Sequence, residues 1–277
     1  MVRTCLLTGV AALLPATALA ANLIGNCEMT GTIGDMAGAT PLKPGQLTVA
    51  VSLPAPNWWI GDTPGAIKEG YEYCLAAALA WHAGYDKVQV VDVEWAALNS
   101  GAARDFDLAL SELAITDERK KTADFSVPYF DLGDGVLVKT GTAIDEKTIK
   151  DMRIGVLKGT PAADFAANTL KLKSLNPFPE QGALLTALRA GQVDAVIAPA
   201  SVVLAEEAME KGALAVIGQY KTGEAYGALY PKGSTNAAAF DKIIGALKAD
   251  GTMAKLAQKY LAPVWGKDPA TVPYFAP

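Results

Sequence analysis

Arg119 stands in a dense run of charge, Asp117-Glu118-Arg119-Lys120-Lys121. A planar guanidinium can fork onto a carboxylate through two parallel hydrogen bonds, yet a run of this kind is by default a solvated turn. Gly159-Thr160 precedes a helical stretch. A Thr there serves as an N-cap, and its hydroxyl and the N–H groups around it can also take up an anionic oxygen. Trp58, Trp59 and Trp95 are rings large enough to exclude water from a ligand, although a lone Trp is more often core. Catalytic chemistry has less to work with. The single His, His82, lies beside Trp81 in a helical stretch and reads as an exposed or half-buried helix residue. No second His is present to share a zinc site, and no Cys or His/Glu spacing has metal-ligand form. GxSxG, Walker A and dinucleotide fingerprints are all missing from the sequence. No cofactor or metal is expected, and binding is favoured over catalysis.

The N-terminus sets the expected compartment. Met1–Arg3 carries one positive charge, and Cys5–Ala20 is an apolar run that ends in Ala18-Leu19-Ala20. That is the small-x-small pattern of a signal-peptidase site, so residues 1–20 read as a signal peptide and the mature chain as starting at Ala21. The run is short for a membrane-spanning helix, which needs roughly 20 apolar residues, and has no basic stop-transfer flank. Cys27 follows Asn26 rather than a small residue, which disfavours a lipid anchor. Loss of Arg3 takes the formal net charge from -5 to about -6. An acidic chain without Lys/Arg runs argues against nucleic acid and anionic membranes as partners. Cys27 and Cys74 then remain in an oxidising compartment, where a disulfide between them and two separate thiols are both open readings.

The elements that must position these residues alternate. After a Gly-rich extension over 21–45, Gln46–Leu53 reads as a strand, Gly70–Ala83 as a helix, and Lys87–Trp95 and Asp105–Leu110 as further strands. Arg153–Leu157 is again a strand, Pro161–Leu170 and Gln181–Ala190 are helices, and Val193–Ala198 is a strand. Strands separated by helices predict parallel α/β sheets. In both halves a helix stops at Gly and a short strand follows with an Asp near its start: Gly101 then Phe106-Asp107, and Gly191 then Val193-Asp194. This weak echo suggests two lobes of similar topology. Gly135–Lys139 suits a crossover between them, and Gly227–Tyr230 a return; two joined lobes can close by hinge bending.

Five segments in order then resemble family 3 extracellular solute-binding proteins, the periplasmic receptors of polar amino acid ABC transporters. They are Gly70-Tyr71-Glu72-Tyr73, Asp117–Phe130 (DERKKTADFSVPYF), Gly155–Thr160 (GVLKGT), Val193–Ile197 (VDAVI) and Leu247–Thr252 (LKADGT). The resemblance covers about 46–265 and implies a type II periplasmic-binding-protein fold, α/β, with two lobes joined by two hinge strands. It implies lobe 1 over 46–138 and 232–277, and lobe 2 over 139–231. Arg119 would hold a ligand carboxylate, with Gly159 and Thr160 gripping from lobe 2. Trp95 would wall the site, and one of Trp58 and Trp59 would face the cleft. The expected partners are a small carboxylate-bearing ligand, an amino acid or derivative, and a membrane permease, for a periplasmic monomer.

Three departures from the family pattern bear on the ligand. The Asp that usually holds the α-ammonium is Pro199 here. The Ser or Thr five residues before the Arg is Ala114, whose N–H could still serve. The Gly two positions before that is Glu112, which could replace the lost Asp or pair with Arg119, because a buried unpaired Glu is costly. A cleft enzyme of the same fold, dehydratase-like with Glu112 as its acid, is the alternative; a ligand-sensing module is another.

Overall fold

A computed structural model describes residues 22–277 except Lys211. The expected signal peptide, 1–20, lies outside the described residues. No helix among them is long and apolar enough to cross a membrane.

Lobe 1 is built on five strands. These are β3 (Leu47–Val51), β4 (Val88–Asp92), β5 (Leu108–Ala109), β6 (Ala123–Phe125) and β12 (Leu229–Pro231), in the order β4-β3-β5-β12-β6. β3 runs parallel to both β4 and β5, while β12 is antiparallel to β5 and β6. All five residues of β3 are buried, and four of them are apolar, as suits an inner parallel strand; the exception is Thr48. Against it lies α1 (Tyr71–Ala83), buried along nearly its whole length, including Glu72 and His82. Its entry needs Gly70, at φ 124°, because a Cβ there would lie 2.3 Å from the Trp58 carbonyl oxygen. α7 (Ala237–Ala249) and α8 (Thr252–Tyr260) pack on α1 and close the core with Phe240, Ile243, Ile244 and Leu247.

The N-terminal extension is tied to α1. Its hairpin, β1 (Leu23–Ile24) with β2 (Cys27–Glu28), is held by a disulfide from Cys27 to Cys74 with the Cα atoms 5.4 Å apart. Of the two open readings for these cysteines, the bridge is the one formed. His82 is buried rather than half-exposed, and its Nδ1 meets Asp35 of the extension at 2.6 Å.

Lobe 2 repeats the plan. β7 (Phe130–Lys139), β8 (Arg153–Leu157), β9 (Ser174–Phe178), β10 (Ala195–Pro199) and β11 (Leu214–Tyr226) lie in the order β11-β7-β10-β8-β9. β8 runs parallel to β9 and β10, and β7 antiparallel to β10 and β11. α5 (Gln181–Arg189) and α6 (Ala200–Met209) cover one face. α4 (Pro161–Asp164), with the π turn Phe165–Thr169, lies on the other. The sequence echo has a physical basis. Asp107 exchanges backbone bonds with β3, its N–H donating to the Thr48 carbonyl and its carboxylate accepting from Thr48 N at 2.7 Å. Asp194 does the same with the start of β8, accepting from Arg153 N at 2.9 Å and donating to the Arg153 carbonyl.

Two expected boundaries are corrected. Gly135–Lys139 is no crossover but part of β7, an inner strand whose Val136, Leu137 and Val138 are fully buried. The outward crossing lies earlier, between β6 and β7. The return crossing, at Gly227–Ala228, falls within the expected stretch. The two crossings are bonded to each other: Ser126 N donates to the Ala228 carbonyl, and Ala228 N to Ser126 Oγ at 2.8 Å. The lobes therefore divide near Phe130 and Gly227, not at 138/139 and 231/232.

The end of the chain also departs from lobe 1. After α9 (Ala262–Trp265) it crosses to lobe 2, where Val272 enters the core. The Gln219 side chain donates to the Pro269 and Val272 carbonyls, both at 2.8 Å, and Phe275 N bonds the Gln219 carbonyl. Polar satisfaction of β11's outer edge places this segment there.

Candidate functional site

The carboxyl ends of β3, β4 and β5 converge on one rim of lobe 1, where open α/β sheets place their ligands. The loop after β3 brings Ser52–Ala55, α2 (Trp95–Asn99) begins with Trp95 after β4, and the turn after β5 brings Ser111 and Glu112. Together these residues line a cavity of about 320 Å³. Trp95 is 44% exposed, and the Arg119 guanidinium sits over its ring at 5.4 Å. Arg119 projects from α3 (Asp117–Lys120), whose N-cap Thr116 accepts from Arg119 N. Its side chain is held at two points: Nε donates to Asn99 Oδ1 and Nη1 to the Ala114 carbonyl, each at 2.7 Å. Nη2 donates to no group among the described residues, and burial draws the guanidinium pKa down. The arrangement is a fixed cation with one edge free, backed by an aromatic face.

Ala114 keeps its own N–H out of the neighbouring bridge, which uses Ile115 N to the Ala225 carbonyl and Gly227 N to the Leu113 carbonyl. Glu112 adopts a left-handed backbone, φ 50°, and no salt bridge to Arg119 forms. Beneath it lies Glu72, fully buried, accepting from Glu112 N at 2.8 Å, Trp59 Nε1 at 2.7 Å and the Tyr129 hydroxyl. Burial pushes the Glu72 carboxyl up to about 7. Burial, and then the charge of Glu72, push Glu112 up to about 7 as well.

Neither Trp58 nor Trp59 is among the residues that line this cavity. Trp59 is core, committed to Glu72. Trp58 is 7% exposed and packs edge-on to Tyr71, Phe130 and Tyr226 at 5.1–5.7 Å, beneath the junction of the lobes.

On lobe 2, Gly159 turns the chain at φ 74° and Thr160 caps α4. The Thr160 hydroxyl is already used, accepting from Ala163 N at 3.2 Å and donating to the Leu157 carbonyl at 2.8 Å. What this corner offers a ligand is therefore backbone N–H. The lobe-1 cavity contains no lobe-2 residue, and the side-chain bonds of Arg119 and Thr160 each stay within their own lobe. A second cavity, of about 220 Å³, begins one residue beyond Thr160 and reaches Pro199 and the junction residues Phe130 and Tyr226. Sequence reasoning missed Asn99, Ser52 and Ser111, whose polar groups carry no motif, and Asp134 in this second cavity.

Residues 47–263 match the model for bacterial extracellular solute-binding proteins, family 3. The chain belongs to that family. Its fold is the two-lobed type II periplasmic-binding-protein fold. The chain is 28% identical over 196 residues to the L-cystine-binding protein TcyJ of Escherichia coli strain K12, covering 69% of this chain and 73% of that one. Among solved structures, it resembles the unliganded, open L-cystine solute receptor of Neisseria gonorrhoeae with a TM-score of 0.64 at 23% identity, over 82% of this chain and 95% of that one. It also resembles an ancestral cyclohexadienyl dehydratase, with a TM-score of 0.60 at 25% identity, over 78% and 92%. Other curated relatives that it matches are named as an ABC transporter glutamine-binding protein of Bacillus subtilis and an L-arginine-binding protein of Pseudomonas aeruginosa.

Proposed function

We propose that this protein is the periplasmic receptor of an ABC transporter and captures a small carboxylate-bearing solute, an amino acid or a derivative, by closure of its two lobes. One observation carries the reading. Arg119 is pinned over Trp95 by Asn99 and the Ala114 carbonyl, with its Nη2 edge unpaired, at the carboxyl ends of three strands. A carboxylate docked there would gain charge-assisted bonds from Nη2 and the Ala114 N–H. The N–H groups of Gly159 and Thr160 would then close on it from lobe 2. Bending at the paired crossings Ser126 and Ala228 would change the outer surface that a membrane permease reads. The 1–20 segment would direct export and be removed, and the mature receptor would act as a monomer.

Thermal-shift and calorimetric titration of the mature chain against amino acids, acylated amino acids and small organic acids tests this. A ligand that binds only the folded protein raises its melting temperature. The expected result is a shift with a carboxylate-bearing member and none with its amide. A response indifferent to the carboxylate would overturn the Arg119 assignment. A lyase-type reading is the second one, because Glu112 titrates near neutrality in the same cavity as Trp95 and can donate a proton. Recovery of bound solute unchanged after prolonged incubation is expected under the receptor reading; a dehydrated product would favour the lyase.

A further inference from the structure

The second cavity holds a group that the receptor reading does not use. Asp134 lies on β7 directly opposite Pro199 of β10, at the cleft end of the lobe-2 sheet. It is 6% exposed, it lines the cavity, and its Oδ2 has no hydrogen-bond partner among the described residues. A buried carboxylate oxygen without a donor is costly, and native proteins keep such atoms where something else supplies the partner. The lining says what that partner is. Glu224 and Asp131 add two further carboxylates, and Phe130, Tyr226, Trp265 and Tyr274 add four rings; no Lys, Arg or His is among the lining residues, while Lys221 Nζ lies over the Tyr274 ring at 4.7 Å and leaves the other three to a ligand. Of the added carboxylates, Asp131 is already paired with Lys248. Carboxylate among aromatic faces in a small cavity is the setting that favours an organic cation.

We propose that Asp134, with Glu224 at the rim, forms a lobe-2 subsite for an organic ammonium group. This rests on the receptor reading and deepens it. Arg119 would hold the anionic end of the solute on lobe 1, and Asp134 the cationic end on lobe 2, so a zwitterion would bridge the cleft. Burial, and then the charge of Glu224, push the Asp134 carboxyl up to about 6. An arriving cation would reverse that shift and keep Asp134 ionised.

The test is calorimetric titration of the wild type, Asp134→Asn and Glu224→Gln. The probes are the L-amino acids, their Nα-acetyl derivatives, and the diamines putrescine and cadaverine. Asp134→Asn should weaken the best ammonium-bearing probe at least tenfold while raising the melting temperature of the unliganded protein, since a buried unpaired carboxylate is replaced by a neutral amide. A purely structural Asp134 would not give that opposed pair. Glu224→Gln, on an exposed side chain, should give a smaller loss and carries the test if Asp134→Asn does not fold. Loss of binding on Nα-acetylation would identify the α-ammonium as the group held. Asp134-dependent binding of acetylated lysine or of a diamine would identify a side-chain or polyamine ammonium. Equal affinity in wild type and both variants would overturn the subsite and leave the receptor reading standing. No binding of any probe to the wild type would overturn both.

Discussion

Arg119 is the side chain on which the proposed chemistry turns, and its two internal bonds make the expected phenotype sharp. Arg119→Ala should weaken carboxylate binding by about 2–4 kcal/mol, on the order of 30- to 1,000-fold in Kd by titration. Arg119→Lys should recover little, because a point charge cannot keep the contacts to Asn99 and the Ala114 carbonyl and still reach out with a second edge. The buried carboxyls set a pH dependence of stability. Glu72 and Glu112 are raised to about 7 and Asp134 to about 6, against ordinary carboxylate values near 4 in the unfolded chain. The folded state then holds more protons than the unfolded one between about pH 4.5 and 7, so stability falls as pH rises through that window. Melting should be higher at pH 5 than at pH 7.5, and Glu72→Gln should flatten the difference; a slope of the opposite sign would show these groups ionised in the folded state. Arg119 could be assigned from its motif, since the charged run and the following DFSVPYF are contiguous. Glu72 and Asp134 could not, because their isolation from water is made by Trp59 and Tyr129 in one case and by the β7–β10 register in the other.

At the scale of the element, α1 is the piece most dependent on its surroundings. Its sequence is apolar on nearly every face, and the structure covers those faces with β3, α7, α8 and the N-terminal extension. The Cys27–Cys74 bridge fastens that extension across a separation of 47 residues. Replacing both cysteines with Ser should lower stability by about 2–4 kcal/mol. That corresponds to a fall in Tm of roughly 5–15 °C for a chain of this size, measurable with and without reductant as a control. Gly70→Ala should be worse than its single methyl suggests, since both φ and the Trp58 carbonyl forbid a Cβ. Helices and strands were legible here where periodicity or a Gly stop marked them. The pairing of the cysteines was not, because sequence carries no distance, and neither was the full extent of the strand Phe130–Lys139, whose partners in the sheet lie 57 and more residues away.

For the whole molecule, the two-lobed plan was readable from the repeat of strand and helix, and Asp107 and Asp194 explain why the repeat left a trace. The path of the last residues was not readable, because a short irregular segment with Pro269 and Pro273 has no period and is placed by β11. Truncation after Gly266 should cost lobe 2 about 3–6 kcal/mol, from loss of the buried Val272 and the stranded Gln219 amide. Differential melting or proteolysis of the two lobes would read this out, and an unchanged lobe 2 would mean that the tail is only draped. Small-angle scattering should show a more compact particle with ligand than without. Because the chain crosses between lobes a third time beyond α9, its first described residues ride on lobe 1 and its last on lobe 2. A dye at each end would therefore follow the two rigid bodies separately, which makes the polypeptide its own angular gauge, with no engineered site inside the cleft.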